Sequence, residues 1–306
     1  MNVIKAENLT KRYGSFTAVN GISFKVESGE LIGFLGINGA GKSTTINMLS
    51  TLLTPDEGSA EICGMKLGKE DGKIRRKIGI VYQQNCLDDI LSVRENLMCR
   101  GILHGATNKE AAARLKQLTA ILSLGDILEK KYKTLSGGQK RRCEIAAALM
   151  HTPEILFLDE PTTGLDPATR RDVWKTIEDL RKNTGMTVFL TTHYMEEAAA
   201  ADRIIIIDKG SITAEGTPFE LKEKYASDSV KLYAPAEKTE SLINRLFEKG
   251  ITAEAMTGGV KFSVKETKSA LPFINEISDE IEGFEVIQGN MDDVFLNAVG
   301  NNLEEE

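Results

Sequence analysis

The chain has 306 residues, of which 41% are hydrophobic and 27% charged, and its net charge is −7. This composition excludes a disordered or fibrous protein, and the length suffices for about two domains with a full core. No apolar run approaches the roughly 20 residues that cross a bilayer, and no charged-then-apolar leader precedes residue 14, so we expect a cytoplasmic protein that forms no pore itself. The four cysteines include no C-x-x-C pair, which favours free thiols over a metal site.

The charge is unevenly divided along the chain. Residues 219–306 carry nine Lys and Arg against eighteen Asp and Glu, whereas residues 1–218 carry 29 against 27. A large nucleic-acid footprint needs clustered positive charge, so an acidic C-terminal part on a near-neutral body argues against a nucleic-acid partner.

The first two thirds of the chain predict an α/β fold. Residues 3–9 and 22–26 alternate polar and apolar residues, as half-buried antiparallel strands do. Later runs are continuously apolar, as fully buried parallel strands are: Leu31–Leu35, Ile78–Val81, residues 155–158, residues 187–190 and residues 204–207. The pattern predicts a parallel sheet with helices on both faces and an antiparallel annex.

A helix-like segment from about residue 85 to 150 interrupts these strands. Ser92-Val93-Arg94-Glu95 fits a capping box, and an alanine- and lysine-rich run follows at residues 109–123. We interpret the segment as a helical subdomain inserted into the sheet domain. Beyond it, Asp166-Pro167 predicts the start of another helix and Gly185 its end.

A second domain is predicted over residues 228–300. Strand-like, helix-like and hairpin patterns follow one another in the order βαββαβ, with the hairpin around Thr257-Gly258-Gly259-Val260 and a second helix over residues 269–281. That order is typical of a small ferredoxin-like α+β domain. Residues 291–299 predict a closing amphipathic helix.

Residues 36–43 fit the pattern G-x-x-x-x-G-K-[ST] of a phosphate-binding loop. The strand before the loop and the helix-like segment after it give the context that such a loop needs. Glycines let successive N–H groups point at phosphate oxygens, and the helix N-terminus adds positive potential. Lys42 is expected to reach the outer phosphates and the Ser43 hydroxyl to bind Mg²⁺. The predicted nucleotide-binding residues are Gly36, Ile37, Asn38, Gly39, Ala40, Gly41, Lys42, Ser43 and Thr44.

Further polar motifs follow this loop in a definite order. Gln83 stands after the strand Ile78–Val81, although Gln84 beside it leaves the register open by one residue. Next come Leu135-Ser136-Gly137-Gly138-Gln139 at a helix start, Asp159-Glu160 after four apolar residues, Thr163-Gly164-Leu165-Asp166, and finally His193. With all of these motifs in order, residues 2–217 resemble the ATP-binding cassette (ABC) family, and this resemblance favours Gln83 over Gln84.

The resemblance implies an ATP hydrolase with the ABC fold: a parallel RecA-like sheet core, an antiparallel β annex and an inserted helical subdomain. Residues 1–218 would form the nucleotide-binding domain, and residues 228–300 an accessory domain. ATP and Mg²⁺ are the implied ligands.

Individual roles also follow from residue type. Tyr13 offers a flat face on which adenine can stack. Asp159 should hold the Mg²⁺ shell, directly or through water, and Glu160 should polarise the attacking water. Gln83 can bind Mg²⁺ and water through its amide oxygen, and His193 can donate to the γ-phosphate.

The segment from Leu135 to Gln139 forms a second helix N-terminus able to hold phosphate. One γ-phosphate has no room for two such loops of one chain, and the resemblance resolves this by head-to-tail pairing of two cassettes. Each ATP would then lie between one chain's phosphate loop and the partner's contact residues: Leu135, Ser136, Gly137, Gly138, Gln139 and Asp166. Whether the dimer is formed from two copies of this chain or from this chain and a relative stays open.

The expected partner is a separate multi-span membrane permease, contacted by residues 88–97, which would place the chain on the inner face of the cell membrane. Residues 162–167 and 291–296 are similar to motifs of the daunorubicin-resistance type of exporter ATPases. That likeness implies export of a drug, lipid or polysaccharide. The alternative is a soluble ABC mechanoenzyme acting on nucleic acid or the ribosome, which the absence of a heptad insertion and of zinc-ligand spacing disfavours.

Overall fold

The computed structural model describes residues 1–264 and 267–300. The chain divides into two compact units, Met1–Glu215 and Gly216–Glu306. The strands of the first unit are β1 (Asn2–Tyr13), β2 (Phe16–Glu27), β3 (Leu31–Leu35), β4 (Glu57–Ile62), β5 (Met65–Lys66), β6 (Ile78–Val81), β7 (Ile155–Asp159), β8 (Thr187–Thr192), β9 (Arg203–Asp208) and β10 (Ser211–Gly216). Its helices are α1 (Lys42–Leu49), α2 (Asp71–Lys77), α3 (Val93–Leu103), α4 (Asn108–Ile121), α5 (Gly137–Leu149), α6 (Pro167–Thr184) and α7 (Met195–Ala198).

A six-stranded sheet with the order β10-β9-β3-β8-β7-β6 forms the centre of the first unit. β3 pairs in parallel with β8 and β9, and β7 pairs in parallel with β6 and β8. Every residue of β3, β7 and β8 is buried, as the apolar runs within these strands predict. The register sets Leu35 beside Thr192 and Asp159 beside Thr191, so the carboxyl ends of the three strands meet at one edge. In open α/β sheets this edge is where ligands bind.

A four-stranded sheet with the order β2-β1-β4-β5 forms the antiparallel annex. Its first hairpin sets Tyr13 opposite Phe16. The segment between β6 and β7 carries α3, α4 and α5, and each begins with a capping box, at Ser92, Thr107 and Ser136 respectively.

The second unit holds α8 (Pro218–Tyr225), β11 (Asp228–Tyr233), α9 (Ala236–Glu248), β12 (Ala253–Met256), β13 (Gly259–Val264), α10 (Thr267–Glu276), β14 (Gly283–Ile287) and α11 (Met291–Gly300). The antiparallel sheet has the order β12-β13-β11-β14, which is the ferredoxin-like arrangement. Apolar residues of α9 and α10 bury one face of this sheet. α10 ends at Glu276, five residues before the predicted end, because the chain turns there and the N–H of Glu280 donates to the carbonyl of Ile277.

The predicted fold class is confirmed: an α/β cassette with an antiparallel annex, inserted helices and a small α+β second unit. No helix within residues 1–264 and 267–300 has the length and apolar character that a membrane span requires.

Candidate functional site: a phosphate loop beside two carboxylates

The phosphate loop, residues 36–43, connects β3 to α1 at the carboxyl edge of the sheet. Its backbone bends at Gly39 and Gly41, whose φ angles are 87° and 108°. A Cβ atom at Gly41 would lie 2.5 Å from the carbonyl oxygen of Ala18, and one at Gly36 would lie 2.5 Å from that of Ile207. The loop can therefore adopt this tight curve only with glycine at these two positions.

Lys42 lies at the start of α1 with only 4% of its surface exposed. Its Nζ donates to the carbonyl oxygens of Gly36, at 2.8 Å, and Ile37, at 3.1 Å. The same ammonium lies 3.2 Å from Oε1 of Glu160. The ammonium group is thus held beside its own loop, where it could bind a phosphate.

Asp159 is the last residue of β7 and lies beside the phosphate loop. Its Oδ1 accepts hydrogen bonds from the hydroxyls of Thr191, at 2.6 Å, and Ser43, at 3.2 Å. Thr191 comes from β8, the neighbouring strand, so the parallel register positions both partners. These contacts hold Asp159 next to the hydroxyl that was predicted to bind Mg²⁺.

Glu160 is the centre of the cluster. Besides Lys42, its carboxylate contacts three groups through Oε2: Nε2 of Gln83 and Nδ1 of His193, both at 3.2 Å, and the hydroxyl of Thr163 at 3.1 Å. Burial would raise the pKa of Glu160, but the charge and hydrogen bond of Lys42, with smaller effects of Thr163 and His193, outweigh it and hold the pKa below its ordinary value. Glu160 is therefore ionised at neutral pH and can accept a hydrogen bond from water.

A cavity of about 400 Å³ opens above the phosphate loop. Tyr13 and Phe16 stand on its rim, with 51% and 60% of their surfaces exposed. Sequence analysis identified Tyr13 but missed Phe16, although both directly flank a two-residue hairpin turn, which was a usable signal. The remaining lining residues are Ala18, Asn38, Gly39, Gly41, Lys42, Ser43, Thr44, Gln83 and Glu160.

The residues predicted to contact ATP from a partner chain lie apart from this cavity. Ser136, Gly138 and Gln139 line a separate depression together with Thr169 of α6. The Ser136 side chain caps α5, and Asp166 caps α6 by accepting from the N–H groups of Ala168 and Thr169. Within one chain the structure unites the loop, carboxylate, glutamine and histidine residues, and it leaves the segment from Leu135 to Gln139 and Asp166 outside them.

Two buried charged residues were missed by sequence analysis. Arg141 and Glu144 of α5 are 5% and 6% exposed, and both bond to the main chain around Gln83 or Glu160. Their partners lie 19 to 59 residues away in sequence, so no local pattern marks them.

Hard oxygen donors beside a phosphate loop are the groups that Mg²⁺ takes in such sites. Ser43, Asp159 and the amide of Gln83 supply them here, and the carboxylates are already joined to hydroxyl and amide groups. Mg²⁺ in nucleotide sites keeps several water and phosphate ligands, so three protein oxygens fit it without a dedicated cage.

A loop of this shape, with a buried lysine and a carboxylate pair at the next strand end, defines a phosphate-loop nucleoside triphosphatase. The profile of the ABC transporter family matches residues 19–163. The chain is 39% identical to the linearmycin resistance ATP-binding protein LnrL of Bacillus subtilis (strain 168), covering 98% of this chain and 99% of that protein. It is also 39% identical to the daunorubicin/doxorubicin resistance ATP-binding protein DrrA of Streptomyces peucetius, over 97% of this chain and 92% of DrrA.

Solved structures agree with these relatives. A dimeric post-hydrolysis state of the ATP-binding cassette MJ0796, bound to ADP and Pi, superimposes with a TM-score of 0.64 at 31% identity, covering 70% of this chain and 98% of that one. The chain belongs to the ATP-binding proteins of the ABC transporter family, and it is an ATP hydrolase. The family resemblance that its ordered motifs indicated is confirmed.

Proposed function

We propose that this chain is the motor subunit of an ABC exporter, which binds and hydrolyses ATP to drive a separate multi-span permease. The observation that carries the proposal is the cluster at Glu160, where one ionised carboxylate contacts Lys42, Gln83 and His193. The relatives named for linearmycin and for daunorubicin and doxorubicin resistance support an amphipathic drug or a lipid-like molecule as the cargo. Through the permease the chain would lie on the inner face of the cell membrane.

ATP is proposed to enter the cavity with its adenine on Tyr13 and its phosphates in the phosphate loop. Lys42 then exchanges the carboxylate of Glu160 for the outer phosphates, because a triphosphate carries more negative charge than one carboxylate. Glu160, released from Lys42, accepts the proton of the attacking water. His193 donates to the γ-phosphate.

Mg²⁺ would be held by Ser43, Asp159 and the amide oxygen of Gln83, and when bound it would supply positive charge to neutralise the phosphate oxygens. In the structure Asp159 accepts from Ser43 and Thr191, which fixes its carboxylate toward the loop. Gln83 and Glu160 both line the cavity, and Nε2 of Gln83 donates to Oε2 of Glu160 at 3.2 Å.

A second cassette is proposed to complete the site. The residues from Leu135 to Gln139, with Asp166, do not line their own chain's ATP cavity and would contact the ATP that is held by the partner cassette. ATP would thereby favour the closed dimer, and hydrolysis would release it.

Glu160→Gln tests this function. The amide keeps the shape of the side chain but cannot take a proton, so we expect ATP binding to persist while turnover falls by a factor of about 10² to 10⁴. An ATP-dependent dimer should accumulate and be visible by size-exclusion chromatography. Glu154→Gln is the matched control, because Glu154 is half exposed and pairs with Lys77 at the surface. Undiminished hydrolysis in Glu160→Gln would remove Glu160 from its proposed role.

A further inference from the structure

Arg141 joins two segments of the site that are far apart in sequence. Its guanidinium donates from Nη1 to the carbonyl of Tyr82 at 2.6 Å and from Nη2 to the carbonyl of Glu160 at 3.0 Å. Its Nε donates to the carbonyl of Pro161. One buried side chain therefore fixes the main chain of Tyr82, just before Gln83, and the main chain of Glu160 and Pro161.

Glu144, one helical turn further along α5, holds the other end of the glutamine loop, which we define as residues 82–88. Its Oε1 accepts from the main-chain N–H groups of Cys86, at 2.8 Å, and Leu87, at 3.1 Å. The hydroxyl of Tyr132 donates to the same oxygen at 2.7 Å. The loop is thus held at both ends by side chains of a single helix.

Charged groups are an expensive way to hold a loop in a protein interior. Burial lowers the pKa of Arg141, and the nearby charge of Glu144 acts against that shift. Apolar side chains of similar volume often stabilise a fold as well as buried charges do. The gain from charged groups is directional, because a guanidinium with three carbonyl partners fixes their relative positions.

The position of α5 connects this network to two other places. The helix begins at Ser136, in the segment proposed to contact the partner's ATP. Tyr82, Cys86 and Glu144 also line a cavity of about 230 Å³, together with Arg100 and His104. A displacement of α5 or of the glutamine loop must therefore strain the bonds of Arg141 and Glu144.

We propose that Arg141 and Glu144 are positioning residues that tie the catalytic carboxylate to the glutamine loop and to α5. Arg141 makes the main chain of Glu160 move with the main chain before Gln83, and Glu144 makes the loop move with the helix. The inference rests on the proposed function, since it takes from there the role of Glu160 and the contact of α5 with a partner's ATP.

Loss of Arg141 should lower kcat without weakening ATP binding. Neither Arg141 nor Glu144 lines the ATP cavity, so nucleotide affinity and KM should stay within about twofold. A misplacement of about 1 Å at a reacting group can cost up to about 10²-fold in rate. We expect Arg141→Gln to reduce kcat by about 10- to 100-fold, and Arg141→Lys, which offers fewer and less rigid donors, to recover only part of it.

The experiment compares Arg141→Gln, Arg141→Lys and Tyr132→Phe in ATP hydrolysis and nucleotide-binding assays. Tyr132→Phe keeps the ring and removes one donor to Glu144, so a fall in kcat of a few-fold at unchanged KM is expected. Arg114→Gln is the matched control: Arg114 also donates to a main-chain carbonyl of α5, that of Leu149, but touches neither Glu160 nor the glutamine loop.

Normal kcat in Arg141→Gln would overturn the inference, as would an equal fall in Arg114→Gln. If Arg141→Gln does not fold, unchanged kcat in Tyr132→Phe and Arg141→Lys overturns it instead. The Glu160→Gln variant distinguishes failure of this inference from failure of the proposed function. If Glu160→Gln traps an ATP-bound dimer while Arg141→Gln has a normal kcat, only this inference fails. If Glu160→Gln hydrolyses ATP at the normal rate, the proposed function itself fails.

Discussion

The ammonium group of Lys42 contacts three groups of its own chain at the proposed phosphate site. Its ammonium bonds to the carbonyls of Gly36 and Ile37 and lies 3.2 Å from Glu160. A charge-assisted hydrogen bond contributes about 1.5–3 kcal/mol. Lys42→Ala should therefore weaken ATP binding by about 10- to 100-fold, which calorimetric titration with ATP would measure. Lys69→Ala is the control, since Lys69 is exposed and outside the cavity; equal affinities in the two variants would contradict the assignment.

The phosphate loop could be recognised in the sequence because a loop of this kind offers consecutive backbone N–H groups to phosphate. Gly41 and Lys42 are adjacent in sequence, so the spacing of the motif is enough to predict the conformation of the loop. Arg141 could not be predicted in the same way, because its acceptors are the carbonyls of Tyr82, Glu160 and Pro161 and any residue supplies a carbonyl. Sequence identifies side chains with distinctive chemistry better than side chains that act on the main chain.

At the scale of elements, the sheet of the second unit places two glycines on either side of Tyr233. Gly259 of β13 and Gly283 of β14 both pair with that residue. A Cβ at Gly259 would lie 1.8 Å from the carbonyl oxygen of Leu232, at a φ of 153°, whereas one at Gly283 would meet nothing within 4 Å. The two positions thus share a neighbour and differ in the space available.

Gly259→Ala should destabilise the second unit by about 2–3 kcal/mol, because the strands must separate or the backbone must rotate. Gly283→Ala should change the free energy of unfolding by no more than about 0.5 kcal/mol. Differential scanning calorimetry would compare the two variants, and ATP hydrolysis would serve to check that the first unit is intact. Equal thermal midpoints would show that the close approach at Gly259 relaxes without cost.

The order of these elements could be read from sequence because turns and periodicity are local. The hairpin around Thr257 and Gly258 and the capping box at Ser92 were predicted where they occur. The end of α10 could not be, because the apolar spacing continues through Ile277, which is fully buried although it lies beyond the helix. A buried position can be reached from more than one backbone conformation, so apolar spacing alone does not fix where a helix ends.

At the scale of the whole molecule, an exporter motor must transmit its cycle to a membrane partner. The segment behind the glutamine loop presents exposed residues for this: Ile90 is 72% exposed and the side chain of Asp89 63%. Asp88 is less free, because its side chain accepts from the N–H of Ile90 and its own N–H donates to Asn96. Asp88 thus supports the local turn, and Asp89 is the better probe of the surface.

Asp89→Lys should weaken association with a separate membrane permease while leaving ATP hydrolysis of the isolated subunit near normal. Charge reversal changes an exposed contact with a partner, and the residue's own ion pair, to Lys140 at 3.6 Å, is weak at a surface. Co-purification of the permease with the tagged subunit in detergent would measure the loss. Asp126→Lys is the control, because Asp126 is exposed in the same helical region between α4 and α5. Equal recovery of the permease with both variants would exclude the segment at Asp89 from the interface. If the wild-type subunit co-purifies with no membrane-embedded partner, the exporter assignment is contradicted.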